Sequence, residues 1–226
     1  MTGNRQQFGT VTSGTTSDTG VLITKPRGYR VFKSLFLLGR AGAMNTALVR
    51  ESGLAPGEDV LDIGCGPGDL VRVMADRVGP DGSATGVDPS PPMIEYATAR
   101  SIPSCRFEVC AAQSLTAPDS AYDLVTCTFV MHHIPEQHRR AALAHMYRVL
   151  RPGGRLLLAD TYPGGRLRVA VGLMSRFAAR RTDDRTEDPL AAIDIRRYRE
   201  LLRESGFHTV DFTRLGSVAG VLVATK

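Results

Sequence analysis

Val60-Leu-Asp-Ile-Gly-Cys-Gly-Pro-Gly68 is a short apolar run that stops abruptly in three closely spaced glycines. Val60, Leu61 and Ile63 read as a buried strand and Asp69 onward as a helix, so the glycines form the strand-to-helix turn of an α/β unit. Glycine lets backbone approach a ligand closely at the strand end, where the switch point of an open α/β sheet offers a crevice. A nicotinamide fingerprint, G-x-G-x-x-G, needs glycine at 64, 66 and 69, and position 69 is Asp. Asp69 also sets an anion at the helix N-terminus, competing with any pyrophosphate for the positive end of the dipole. No Gly-Lys-Ser/Thr follows, which removes a Walker loop. The turn suits a nucleoside without phosphates.

Outward from this turn, short β-rich runs alternate with helical patterns, the rhythm of βαβ units in a parallel sheet. Strands are predicted at Asp59–Ile63, Ser83–Val87, Cys105–Cys110, Tyr122–Thr128 and Arg155–Asp160, with helices at Asp69–Val78, Pro92–Ala99 and Glu136–Leu150. After Asp160 the pattern breaks. Leu167–Ala179 carries apolar residues on roughly one helical face, Arg180–Pro189 reads as a mobile loop, and Ile193–Ser205 reads as a helix ending at Gly206. Thr209–Arg214 and Val218–Thr225, joined through Gly216-Ser217, read as a closing antiparallel hairpin. Before the sheet, Arg27–Val49 gathers Val31, Phe32, Leu35, Phe36 and Leu38 on one side of a helical wheel. The expected division is a disordered tail over 1–24, a helical cover over 25–50 and one α/β domain over 51–226. That domain would carry a lid-like insertion at about 162–192.

The chain has 226 residues, 42% apolar and 23% charged, enough for one ordinary globular domain. No apolar run approaches the ~18 residues that span a bilayer; Leu35-Phe-Leu-Leu38 stops at Gly39-Arg40. The first twenty residues lack the apolar core of a secretory signal, and Cys65, Cys105, Cys110 and Cys127 form no CxxC pair. A reduced, cytoplasmic chain without disulfides is the expectation. The net charge of +5 comes almost wholly from 25 arginines against 3 lysines. Residues 1–50 hold 7 basic and 1 acidic side chains, 51–161 hold 9 and 14, and 162–203 hold 10 and 6. Two basic flanks folded over one mouth would draw anions to it; solvated helix faces are the plainer reading.

Asp88 closes the second predicted strand in Gly86-Val-Asp-Pro-Ser90, 26 residues after Asp62. A carboxylate there can accept hydrogen bonds from both vicinal hydroxyls of a ribose, or simply cap the helix that follows. Together with Tyr122-Asp-Leu-Val-Thr-Cys-Thr-Phe-Val-Met-His-His-Ile134 and Arg148-Val-Leu-Arg-Pro-Gly-Gly154, these segments resemble the class I S-adenosylmethionine-dependent methyltransferases over about residues 27–226. The small-molecule branch similar to quinone C-methyltransferases is the nearest group. The resemblance implies a Rossmann-like, doubly wound α/β sheet of seven strands, mostly parallel, whose last hairpin is antiparallel. It implies S-adenosylmethionine as cofactor, with Asp62, Gly64, Cys65, Gly66 and Gly68 around its methionine part and ribose, and Asp88 and Pro89 at the ribose hydroxyls. Met93 would pack on the adenine face, Ala112 and Gln113 would read the base edge, and Thr128 would complete the pocket. In the family's pattern an acid follows the third strand; here Ala111 stands in that place.

A sulfonium makes its methyl group electrophilic, so such a site mainly aligns a nucleophile and excludes water. Acceptors that lose a proton also need a base within reach. His132 and His133, just after the fourth strand, are the candidates, with packing as the competing role. Asp160, Tyr162 and Tyr29 are candidate substrate or lid residues, and no metal constellation emerges. The expected partner is a small-molecule acceptor, with no stable nucleic acid, and the chain a monomer or homodimer. Two alternatives remain open at this point: a nucleic-acid methyltransferase, for which the arginine-rich flanks argue and the missing Asn/Asp-Pro-Pro-aromatic signature argues against, and a non-catalytic cofactor-binding protein.

Overall fold

A computed structural model describes Lys25, Pro26, Gly28 and residues 39–162, 194–216 and 219–226. The expected tail, Tyr29, most of the N-terminal cover, the lid-like insertion beyond Tyr162 and the tip of the last hairpin lie outside the described residues. The described elements are helix α1 (Ala41–Glu51), strand β1 (Asp59–Ile63), α2 (Asp69–Val78), β2 (Ser83–Asp88), α3 (Pro91–Thr98), β3 (Cys105–Val109), β4 (Tyr122–Thr128), α4 (Glu136–Val149), β5 (Leu150–Thr161), α5 (Tyr198–Glu204), β6 (Thr209–Leu215) and β7 (Ala219–Thr225). Single 3-10 turns sit at Ala112–Ser114, Met131–His133 and Ile195–Arg197.

The strands form one seven-stranded sheet in the order β3-β2-β1-β4-β5-β7-β6. β1 to β5 run parallel, and β7 pairs antiparallel with both β5 and β6. The side-chain period of two builds two cores from the same strands. Leu61, Val125, Leu156 and Leu158 face a layer that includes Leu143 and Met146 of α4 and Leu202 of α5. Val60, Leu124 and Leu157 face the opposite layer, with Leu48 of α1, Val71 and Met74 of α2 and Ile94 of α3. The sheet is therefore doubly wound, as expected. Strand order reverses between β1 and β4, so the crevice of the switch point opens at their carboxyl ends, beside the glycine turn.

Three expectations shift. Gly39 sits in a turn with φ +75°, so Arg27–Val49 is not one continuous helix; α1 starts only at Ala41 and runs on to Glu51. β5 starts at Leu150 rather than Arg155, because Leu150 already pairs with Tyr122 and the ladder then shifts register before Arg155 meets Leu124. The helix read as starting at Ile193 begins with a 3-10 turn at Ile195, where Asp194 accepts the backbone N–H of Arg196 at 2.9 Å.

Candidate active site

The backbone N–H groups of Gly64 and Cys65 both donate to the Val87 carbonyl, at 2.8 and 3.0 Å, which ties the turn after β1 to the end of β2. Gly64 has φ +70°, and a Cβ there would collide with both methyls of Val130; Gly68, the N-cap of α2, has φ +75°, and a Cβ there would lie 2.6 Å from the Phe107 ring. These two glycines are thus demanded by backbone conformation and by close packing of the protein on itself, beyond the ligand approach read from the sequence. Cys65 turns its side chain into the core, against the position of Gly86, and burial first of all holds its thiol well above the ordinary thiol range. It can offer a ligand only backbone.

Asp62 is 2% exposed and accepts a 2.6 Å hydrogen bond from Thr126 Oγ1, its register partner on β4. Thr126 escaped the sequence reading, its one signal being a polar residue in a buried strand. Asp88 ends β2 half-buried: Oδ2 accepts the Gly66 N–H and Oδ1 the Ser90 N–H, each at 2.9 Å. Burial pushes its carboxyl above the ordinary range, partly offset by those two bonds. Pro89 follows in the turn, Met93 is fully buried on α3, and Ala112 with Gln113 occupies the 3-10 turn after β3. Thr128 ends β4. The turn, Asp88, the 112–114 segment and Thr128 therefore all follow carboxyl ends of neighbouring strands.

Does this arrangement fit S-adenosylmethionine? Each Asp88 oxygen accepts one backbone N–H and retains a second lone pair, so the carboxylate can still receive the two donors of a vicinal diol. Where a phosphate would need the start of α2, Asp69 already stands, paired with Arg72 at 2.6 Å. The donor set fits a ribose without a pyrophosphate.

Past β4, Phe129 adopts φ +59° while its N–H donates to the Ala159 carbonyl at 2.7 Å, and the chain turns into the Met131–His133 segment. There His132 Nδ1 lies 2.8 and 2.9 Å from the two oxygens of Asp160. Asp160 is 4% exposed, while the His132 side chain is 40% exposed. With the carboxylate ionised, Nδ1 carries the proton and donates it, leaving Nε2 as an acceptor. Sequence reading named both residues but gave them separate roles; 28 positions apart, nothing local linked them. Asp160 also accepts the Thr161 N–H at 2.8 Å. His133 stacks beside His132 with ring centroids 4.0 Å apart, and burial, then the field of His132, lower its pKa. Tyr162 packs edge-on against Phe212, with Arg196 over its ring. Among the described residues no cluster of His, Cys, Asp and Glu is set to hold a metal.

A seven-stranded sheet with a glycine turn and a strand-end carboxylate at its switch point describes a class of fold and site. Residues 60–154 match the methyltransferase domain family. The chain is similar to class I S-adenosylmethionine-dependent methyltransferases, quinone C-methyltransferases among them. It is 31% identical over 147 residues to a ubiquinone/menaquinone biosynthesis C-methyltransferase of Cupriavidus necator, covering 62% of this chain and 58% of that one. It is 31% identical over 137 residues to a demethylmenaquinone methyltransferase of Symbiobacterium thermophilum, covering 58% and 54%. The chain spans about half the length of the curated relatives it matches. In fold, it superposes with a TM-score of 0.68 on a SAM-dependent methyltransferase from Aquifex aeolicus, at 17% identity, over 90% of this chain and 99% of that one.

Proposed function

We propose that this protein transfers a methyl group from S-adenosylmethionine to a small-molecule acceptor that gives up a proton to His132. The observation that carries the reading is the carboxylate-oriented imidazole, His132 on Asp160, at the same edge of the sheet as Asp88 and the glycine turn. When bound, the cofactor supplies an electrophilic methyl carbon and leaves as S-adenosylhomocysteine. Asp88 holds the ribose hydroxyls, and the backbone of the 64–68 turn, braced from below by Asp62 and Thr126, lines the rest of the nucleoside. Met93, the 112–114 turn and Thr128 complete the pocket wall. Nε2 of His132 takes the proton of the acceptor hydroxyl, amine or activated carbon as its lone pair forms the new bond to the methyl carbon. Asp160 fixes the ring and stabilises the imidazolium. His133, whose pKa burial lowers, packs beside this pair. The names of the curated relatives support a quinone-type ring as the acceptor.

Calorimetric titration with S-adenosylhomocysteine tests the cofactor half. Asp88→Ala is expected to weaken binding by at least ~1.5 kcal/mol, about tenfold, through loss of charge-assisted hydrogen bonds. Unchanged affinity in the folded variant would place the ribose elsewhere. A tritiated-methyl assay against metabolite extract and total RNA at two salt concentrations tests the acceptor half, since RNA labelling that falls steeply with salt would replace the small molecule by a nucleic acid.

A further inference from the structure

The segment after β3 brings little side-chain chemistry of its own. From Cys110 to Ala117 the chain reads Cys-Ala-Ala-Gln-Ser-Leu-Thr-Ala, with neither a carboxylate nor a cation. Its first N–H, that of Cys110, donates to the Asp88 carbonyl at 3.1 Å, so the segment starts beside the residue proposed to hold the ribose. A base attached to that ribose therefore meets chiefly backbone, with Gln113 supplying the one side-chain amide. Recognition by backbone is only as exact as the placement of that backbone.

Placement comes from α4, where two side chains one turn apart reach the segment. Arg148 donates Nη1 to the Ala117 carbonyl and Nη2 to the Leu115 carbonyl, both at 2.8 Å, and also pairs with Asp119. The same Nη2 lies 3.4 Å from His145 Nδ1, and a ring nitrogen facing a guanidinium can only accept. The His145 proton then sits on Nε2, and the ring donates it to the Gln113 backbone carbonyl. Burial, then the Arg148 charge, lower the His145 pKa, which favours this neutral ring. Ala112 and Leu115 share a core with Leu143 and Met146 of the same helix. Apolar packing alone has no direction; the bonds to Gln113, Leu115 and Ala117 supply it.

We propose that His145 and Arg148 are positioning residues for the base of the cofactor: they set the Cys110–Ala117 backbone where it meets the base edge. They act through that backbone rather than on the cofactor. The proposal rests on the cofactor reading above and deepens it, since it assigns base recognition to a clamp on α4 as well as to the segment after β3.

The test uses the full chain and two ligands that differ in the base: S-adenosylhomocysteine, titrated calorimetrically, and S-ribosylhomocysteine, measured by its displacement of the first. In the unmodified chain the base should tighten binding by at least about tenfold. Arg148→Gln and His145→Ala should each weaken S-adenosylhomocysteine about tenfold while S-ribosylhomocysteine stays within about twofold. His145→Gln, which keeps an N–H to donate, should recover most of the lost affinity. Asp88→Ala should weaken both ligands, since both carry the diol. Unchanged S-adenosylhomocysteine affinity in both clamp variants overturns the proposal. So does an equal loss with both ligands, the mark of a merely structural support, or equal affinity of the unmodified chain for the two. Thermal melts without ligand report folding, and should Arg148→Gln fail to fold, the two His145 variants carry the test. Absence of S-adenosylhomocysteine binding in the unmodified chain sinks the cofactor reading, whereas binding without the base-dependent split sinks only the clamp.

Discussion

Asp160 accepts from His132 through either oxygen while almost wholly buried, whereas the imidazole itself reaches solvent. A base needs this asymmetry: one ring nitrogen fixed, the other facing the acceptor. His132→Ala is expected to lower kcat by roughly 10²–10⁴ with S-adenosylhomocysteine affinity intact, while His133→Ala keeps most of kcat. Asp160→Asn, which loses both the ring's tautomer control and the charge that stabilises the imidazolium, should lower kcat by up to roughly 10⁴ at unchanged cofactor affinity. His133 has a separate signature. Its folded pKa lies below the ordinary 6.5, so the unfolded chain binds a proton more readily and stability falls as pH drops below about 6.5. Thermal melts between pH 7 and 5 should therefore fall less in His133→Asn than in the natural chain.

Elements at the amino edge of the sheet are tied by arginines, in contrast to the open carboxyl edge. Arg151 bridges Asp59 of β1 at 2.8 Å and also pairs with Asp123 of β4. Arg155 of β5 clamps the loop between α1 and β1, donating to the Ser52 carbonyl at 2.5 Å, to the Gly53 carbonyl at 2.8 Å and to both oxygens of Glu58. Burial, the largest single influence, would raise the Glu58 pKa, but the Arg155 hydrogen bonds, the Ala55 N–H and the Arg155 charge together outweigh it and the net shift is downward. The stability this pair adds is present above pH ~4.5 and is lost as pH falls through the lowered value. Arg155→Gln should destabilise the fold by about 1–3 kcal/mol in denaturant titrations, with S-adenosylhomocysteine affinity unchanged because the clamp lies at the far end of the strands. The carboxyl edge is instead shaped by backbone: Phe129, a bulky residue in the left-handed region, turns β4 toward His132. Such a conformation costs on the order of 1–2 kcal/mol and persists where the surroundings hold it, here through the ring packed on the core and the N–H donated to Ala159.

For the whole molecule, cofactor binding couples to stability because the crevice is assembled from turns after different strands and does not exist in the unfolded chain. At a ligand concentration of about 100 Kd the native state gains ~2.7 kcal/mol. For a chain of this length that corresponds to a rise in Tm of roughly 5–10 °C. S-adenosylhomocysteine should produce such a rise in a thermal melt, NAD and ATP should not, and Asp88→Ala should reduce it. A rise with NAD equal to that with S-adenosylhomocysteine would contradict the argument from Asp69 at the start of α2.

Sequence alone determined the alternation of strands and helices, the glycine turn and the carboxylate at the end of β2, because apolar periodicity, glycine spacing and strand-end position are local properties of the chain. It could not determine what faces what. Pairing of His132 with Asp160, of Asp62 with Thr126 and of Arg148 with the Leu115 and Ala117 carbonyls joins residues far apart in the chain, and only the folded sheet brings them together. The same holds for Gly64 and Gly68, whose need for glycine comes partly from Val130 and Phe107, side chains that reach them from distant segments of the chain. Tertiary structure decided these contacts because side-chain packing is set by strand register and crossover, for which no short stretch of sequence carries the information.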